Sequence, residues 1–368
     1  MIKVIDIIGK IYSSIPKEVR PYVKNVLYYV LIRLESLFTL RKILKGKKVV
    51  FLGHEIAFLE DFEFLGPKKN EILIEVVNTM VSPGTESAVL LGLPGARRSF
   101  PYTPGYSATG KIIEVGKKVK NYKKGDYIAG RINHLNYATA KPDNFFKLPK
   151  GVSADEASFI ELGIIVLQGI RKAKIKPGYK VAVVGQGLIG QIANKLARIT
   201  GATEVVGVAY SKNREETAIK AGGVTKYIAL KEEKNLSHIK ADIVIEAVGA
   251  PSAVETSLEC VRDGGRIILL GSARGLGRNI NFIKNAQKKN ITIIGAHISA
   301  MPDIDNSNGR WTYKEEGQLF LDMLKIKKLS LKDLITWKAE PDECNKVYEV
   351  IAEGGKNMVG IMFNWSST

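Results

Sequence analysis

Apolar residues along the chain change their spacing three times, and each change marks a different kind of element. Between residues 20 and 45, Val23, Val26, Leu27, Val30, Leu31, Leu34, Leu37 and Phe38 recur three and four positions apart, the period that lines up one face of a helix. From Lys47 the pattern shortens, and KKVVFLGHEIAF, EILIEVVNTM, TGKIIEVG and DYIAGRI read as β segments punctuated by Gly, Pro and Asn. Near residue 154 helical spacing returns in SADEASFIELGIIVLQGIRKA, which precedes the buried-strand pattern Lys180-Val-Ala-Val-Val-Gly185. Helix LIGQIANKLARITG, strand EVVGVAY, helix NREETAIKAGG, strand ADIVIEAVG, helix SAVETSLECVRDGG and strands RIILLGS and ITIIGAH then complete an alternating series. Such alternation predicts an α/β fold with a doubly wound, mostly parallel sheet covered by helices on both faces.

The pattern divides the chain into an N-terminal helical extension (1–47), a β-rich part (48–162), a strand/helix part (163–298) and a tail (299–368). A length of 368 residues exceeds what one hydrophobic core usually sustains, so more than one packed domain is expected. Hydrophobic residues at 45% and charged residues at 25% fit a globular chain and exclude a structureless one. The net charge of +18 is unevenly placed: residues 1–48 hold eleven Lys and Arg against Asp6, Glu18 and Glu35. A basic amphipathic helix of this kind packs on the protein body, packs on a second subunit, or lies peripherally on an anionic membrane through residues 20–45. A homo-oligomer is expected. No basic patch is interleaved with aromatics and no zinc-finger or RNA-binding signature occurs, so nucleic acid is not an expected partner. Cys260 and Cys344 are too few for a disulfide framework or a four-cysteine zinc lobe. The first residues, MIKVIDIIGKIYSSIPK, do not read as a secretory leader, and no run reaches the roughly 18 to 20 apolar residues of a membrane span, so a cytoplasmic setting is expected.

Gly185-Gln-Gly187-Leu188-Ile189-Gly190 follows a strand and opens a helix, the context in which G-x-G-x-x-G binds a dinucleotide. Gly185 permits the tight turn, Gly187 lets a pyrophosphate approach the backbone, and Gly190 lets helix and strand pack closely. The helix N-terminus then faces the anion. About 20 residues further on, an NAD enzyme presents Asp or Glu to the ribose hydroxyls; here Ala209 stands there, followed by Ser211, Lys212 and Arg214. Those three side chains suit a 2′-phosphate, so NADPH is the expected cofactor, with NADH as the alternative.

Together with Ser82-Pro-Gly-Thr-Glu86, Pro104-Gly-Tyr-Ser-Ala-Thr-Gly110 and Val115-Gly116, these residues resemble the medium-chain dehydrogenase/reductase superfamily from about residue 49 onward. The resemblance implies a GroES-like catalytic domain to which the tail returns, an inserted Rossmann domain, and a cleft between them. It also implies that Val248, Gly249, Gly271 and Ser272 hold the dinucleotide. Where zinc-dependent members carry a cysteine and a histidine, this chain has Pro83 and Tyr106, and Ser107 replaces the acidic residue after that histidine. Glu161 is left as the one matching ligand, and a single carboxylate does not build a tetrahedral site, so no zinc is expected. Thr85 matches the family's proton-relaying Ser/Thr, and Tyr106 places a phenol where a metal ligand stood. A phenol serves as the acid here only if a neighbour lowers its pKa from about 10. His134 and His297 are further candidates for proton transfer. The reading is an NADPH-dependent, zinc-independent oxidoreductase acting on a small molecule that carries a carbonyl, an alcohol or an activated alkene. The alternative is a noncatalytic NADPH-binding, membrane-associated scaffold.

Overall fold

The computed structural model describes residues 15–16, 20–96, 99–272, 274–277, 280–302, 311–355 and 357–366. It opens with helix α1 (Arg20–Thr39), followed by a long antiparallel ribbon of β1 (Ile43–Gly53) and β2 (Ile56–Leu65). The helix lies on the ribbon: Tyr28 donates to the Glu63 carbonyl at 3.1 Å, Arg33 pairs with Glu63 at 2.9 Å, and Ile32 is buried. Two expectations need correcting. The extension ends near residue 40 and not at 47, because β1 already runs from Ile43 and pairs with Leu65. The predicted stripe is not one buried face, since Val26, Val30, Leu37 and Phe38 point outward while Ile32 points inward. A helix apolar around most of its circumference does not declare its buried side by spacing. No described helix is long and apolar enough to cross a membrane.

Next come β3 (Ile72–Met80), helix α2 (Pro83–Leu90), β4 (Ala108–Val115), β5 (Tyr127–Gly130), β6 (Tyr137–Ala140) and β7 (Phe145–Lys147). Helix α3 (Ile160–Ala173) is covered along most of its length and leads into the second sheet. That sheet holds β8 (Lys180–Val184), β9 (Glu204–Ala209), β10 (Lys226–Ala229), β11 (Ala241–Glu246), β12 (Val261–Leu269) and β13 (Thr292–Gly295). All of its pairings are parallel, in the order β10-β9-β8-β11-β12-β13. Relative to β8 this is the 3-2-1-4-5-6 order of a dinucleotide-binding sheet, in which the order of strand addition reverses beside β8 and opens a crevice at the strand ends. Helices α4 (Leu188–Thr200), α5 (Glu215–Lys220) and α6 (Pro251–Cys260) link its strands. Val261 to Gly265, which follow the helical run in sequence, belong to β12 and not to α6.

The tail forms α7 (Tyr313–Lys325), β14 (Ile335–Ala339), α8 (Cys344–Ala352) and β15 (Gly360–Asn364). It returns to the first sheet, whose order is β14-β15-β3-β4-β5-β7 with β6 also on β3. Helix α7 packs on α3 through Phe320, Leu321 and Leu324, which share one core with Ile160, Leu167 and the inward face of β8. The stretch 301–311, which reads in the sequence as a long loop, falls largely outside the described residues.

Candidate functional site: an interdomain cleft

The glycine turn is built as its sequence requires. Gly185 leaves β8 with φ +99° and its amide bonds to the Val208 carbonyl at 2.8 Å. A Cβ on Gly190 would overlap the Gly185 carbonyl oxygen, whereas one on Gly187 would meet only an Arg214 nitrogen at 3.7 Å. Gly187 caps α4 without any side-chain hydrogen bond, so the first amides of the helix face open space, the arrangement that receives a phosphate. The second pair of turns is interlocked: a Cβ on Gly249 would overlap the Ser272 carbonyl, and one on Gly271 would overlap the Gly249 amide. Glu246, at the end of β11, accepts the amides of Val248 and Gly249 on one oxygen, both at 2.7 Å. Burial pushes its carboxyl up while these amides pull it down.

These turns line one side of a cavity of about 620 Å³. Leu188, Ile189, Val248, Gly271 and Ser272 face it, and Gly185, Gly190 and Gly249 shape its wall from behind. Ser211, Lys212 and Arg214 do not act as one group. Arg214 reaches into the cavity, donating from Nε to the Met358 carbonyl at 3.1 Å, and burial lowers its pKa from the usual arginine value. It has no carboxylate partner among the described residues. Lys212 instead turns to Glu232 at 2.7 Å, a bond that raises its pKa, and Ser211 offers its carbonyl to the Tyr227 hydroxyl at 2.8 Å.

Pro83, Gly84 and Thr85 form the opposite wall because Pro83 starts α2, where a missing N–H costs nothing. Tyr106 donates to Ser82 Oγ at 2.7 Å and also meets the Thr85 side chain, so three hydroxyls converge on the cleft. Burial drives the Tyr106 phenol up to about 12, opposed by its bond to Ser82. The lowered phenol pKa that acid catalysis would need is therefore not found; Tyr106 is a neutral hydrogen-bond donor. His134 is not a cleft residue either. Its ring is sealed in the β-rich core, with Nδ1 2.6 Å from Thr79 Oγ1 and Nε2 3.1 Å from Glu86 Oε2. His297 is the one described histidine that lines the cavity, and its Nδ1 lies 2.6 Å from Ser299 Oγ.

Glu161 is fully buried behind the cleft wall. Its Oε2 accepts Nε and Nη2 of Arg131 at 3.2 and 2.7 Å, and its Oε1 accepts the Tyr313 hydroxyl. Burial pushes this carboxyl up, against the downward pull of Arg131 and Tyr313. Both oxygens are thus engaged by protein. With Pro83 and Tyr106 at the other two positions, these residues do not fit a catalytic zinc ion. Among the described residues no group of three or more His, Cys, Asp or Glu is placed to hold a metal. Ser82, Arg131 and Arg274 are cleft residues that sequence reading did not single out; Arg274 spans the cleft mouth by donating to the Gly84 carbonyl at 2.7 Å.

A 3-2-1-4-5-6 parallel sheet that opens its glycine turn onto a cleft shared with a β-rich unit defines a nicotinamide-dependent oxidoreductase. Residues 68–150 match the alcohol dehydrogenase GroES-like domain and residues 189–309 match the zinc-binding dehydrogenase family. D-xylulose reductase of Saccharomyces cerevisiae is 28% identical over 293 residues, spanning 68% of this chain and 77% of that protein. Sorbitol dehydrogenase 1 of the same yeast is 26% identical over 309 residues, 72% of this chain and 82% of that protein. The crystal structure of 2R,3R-butanediol dehydrogenase from Bacillus subtilis superposes with a TM-score of 0.72 at 19% identity, covering 87% of this chain and 99% of that one. A structure from Sinorhizobium meliloti 1021 bound to NADP gives 0.74 at 18% identity, covering 87% of this chain and 99% of that one. The chain belongs to the medium-chain dehydrogenase/reductase superfamily, as an alcohol dehydrogenase-like oxidoreductase.

Proposed function

We propose that the protein is an NADPH-dependent, zinc-independent oxidoreductase that interconverts an alcohol and a carbonyl in this cleft. The observation that carries the reading is Arg214: a guanidinium without a carboxylate partner among the described residues, beside Gly187, at a site where Ala209 offers no carboxylate. Such a group suits a 2′-phosphate, and neither Lys212 nor Ser211 is needed for it. The relatives named for xylulose and sorbitol support a carbonyl/alcohol couple over an activated alkene. The interdomain position of the cleft supports a division of labour, with residues 163–298 holding the cofactor and the flanking parts holding the substrate.

When bound, the nicotinamide supplies or takes up the hydride. The amides that open α4 and the Val248–Gly249 and Gly271–Ser272 turns fix the dinucleotide along the strand ends. Tyr106, held neutral, donates to Ser82 and so orients the Ser82 hydroxyl, whose own proton is then directed at a substrate oxygen beside Thr85. The engagement of Glu161 by Arg131 and Tyr313 supports a reaction without zinc.

The test combines metal analysis with turnover. Protein freed of metal by chelation should reduce a member of a carbonyl, quinone and enone panel with NADPH, at a rate unchanged by added zinc. Stoichiometric tightly held zinc, or activity that returns only with zinc, would overturn the metal-free reading.

A further inference from the structure

The cleft carries a charge pattern that hydride transfer alone does not require. Three arginines, Arg131, Arg214 and Arg274, line it, and no described Asp or Glu does. Two of them belong to the dinucleotide side: Arg214 lies beside Gly187, and Arg274 follows Ser272 and bonds through its amide to the Gly249 carbonyl at 2.8 Å. Arg131 belongs to the other side, within electrostatic reach of Tyr106. Its position is fixed from behind. Nε and Nη2 both bond to Oε2 of Glu161, whose side chain is 0% exposed, while the Arg131 side chain is 57% exposed and lines the cavity. Nη1 has no hydrogen-bond partner among the described residues. Glu161 therefore anchors the guanidinium without covering it, and a cation is held at the substrate end of the cleft by the residue that matches a metal ligand in zinc-dependent relatives.

We infer that Arg131 binds an oxyanion group of the substrate, a carboxylate or a phosphate monoester, so that the substrate is an anionic alcohol or carbonyl compound and not a neutral polyol. Guanidinium presents paired N–H donors that match the two oxygens of such a group. A neutral polyol would leave this cation facing only water. The inference rests on reading the cleft as a nicotinamide-dependent site, because a dinucleotide held by the glycine turns would occupy the side that carries Arg214 and Arg274 and leave Arg131 as the open cation.

The experiment titrates the protein saturated with NADPH, at constant ionic strength, with acetate, inorganic phosphate and the neutral isostere acetamide, following bound-NADPH fluorescence and heat of binding. Acetate or phosphate should bind at least tenfold more tightly than acetamide, and whichever does so identifies the carboxylate or the phosphate source. Removing Arg131 alone strands a buried carboxylate, so the test variant is the double substitution R131Q/E161Q, which should abolish the preference while leaving NADPH affinity within about twofold. R131K, which keeps the charge, should retain most of it. Equal binding of all three probes by the wild type, or a preference that survives in R131Q/E161Q, would overturn the inference. If NADPH fails to bind, heats of binding on a cofactor-free R214Q/R274Q background, with and without R131Q/E161Q, keep Arg131 as the open cation and the comparison decisive. Absent NADPH affinity or bound zinc would count against the functional reading alone.

Discussion

His134 Nε2 lies 3.1 Å from Glu86 Oε2 with both side chains sealed from solvent, and this pair is the hub of the β-rich core. Glu86 also accepts the Tyr348 hydroxyl at 2.5 Å and, on its other oxygen, the Ser82 amide at 2.8 Å. Thr79 accepts from Trp365 Nε1 at 3.0 Å, which leaves its own hydroxyl proton to point at His134 Nδ1. The neutral Nε2–H form of the ring then satisfies every group, and the network ties β3, α2, α8 and the end of β15 together. Replacing His134 with Ala should cost roughly 2–4 kcal/mol, from the lost hydrogen bond to a buried carboxylate and the cavity the ring leaves. Urea unfolding checks this, with NADPH affinity of the folded fraction unchanged. A cost under 1 kcal/mol would mean that Glu86 finds other partners.

The glycines of the nucleotide turn should separate folding from binding. Gly187→Ala places a methyl in open space on the cofactor side, so the variant should unfold like the wild type yet bind NADPH at least tenfold more weakly. Gly190→Ala drives a methyl into the Gly185 carbonyl and should lower stability itself. Thermal unfolding and fluorescence titration of both variants test the contrast. Parallel behaviour in both measurements would refute the assigned roles.

Arg214 and Lys212 stand two residues apart and should differ sharply. A charge-assisted hydrogen bond is worth about 1.5–3 kcal/mol, so Arg214→Gln should weaken NADPH by roughly 10- to 150-fold and NADH far less. Lys212→Gln should change either by less than about threefold, because its ammonium is held by Glu232. Dissociation constants for both nucleotides in both variants decide. Equal losses for NADPH and NADH in Arg214→Gln would reassign that residue to the pyrophosphate.

What could be read from the chain alone follows how local each feature is. Gly185, Gly187 and Gly190 impose their turn through backbone geometry between neighbours, and strand–helix alternation dictates a parallel sheet, so both were legible. The rest of the cleft wall was not, because Arg131, Arg274 and Met358 come from distant segments that only the folded sheets bring together. The same distance separates the histidines: His134 and His297 each sit near a strand end, and only Glu86, Thr79 and Trp365 closing around the first decide which is core. Lys212 and Arg214 looked equivalent until Glu232, from the loop after β10, took one of them. Helix α1 hid its buried side because apolar residues surround most of it.

Tyr106 sets an alkaline limit with a defined sign. Its pKa is about 12 in the folded protein, raised chiefly by burial, against an ordinary value near 10 in the unfolded chain. Below pH 10 the phenol is neutral in both states and its contribution to stability is fully present. Between about pH 10 and 12 the unfolded chain releases the proton while the native protein keeps it, so the native state binds more protons and stability falls as pH rises. Tyr106→Phe removes this proton from both states, and its stability should decline less steeply than that of the wild type across the same window. Tyr227, also pushed to about 12, is present in both proteins and cancels in the comparison. Urea midpoints at intervals from pH 9 to 11.5 measure the difference. Identical slopes would show that the Tyr106 phenol ionises as readily in the fold as outside it, which would remove the reason for treating it as a neutral donor to Ser82.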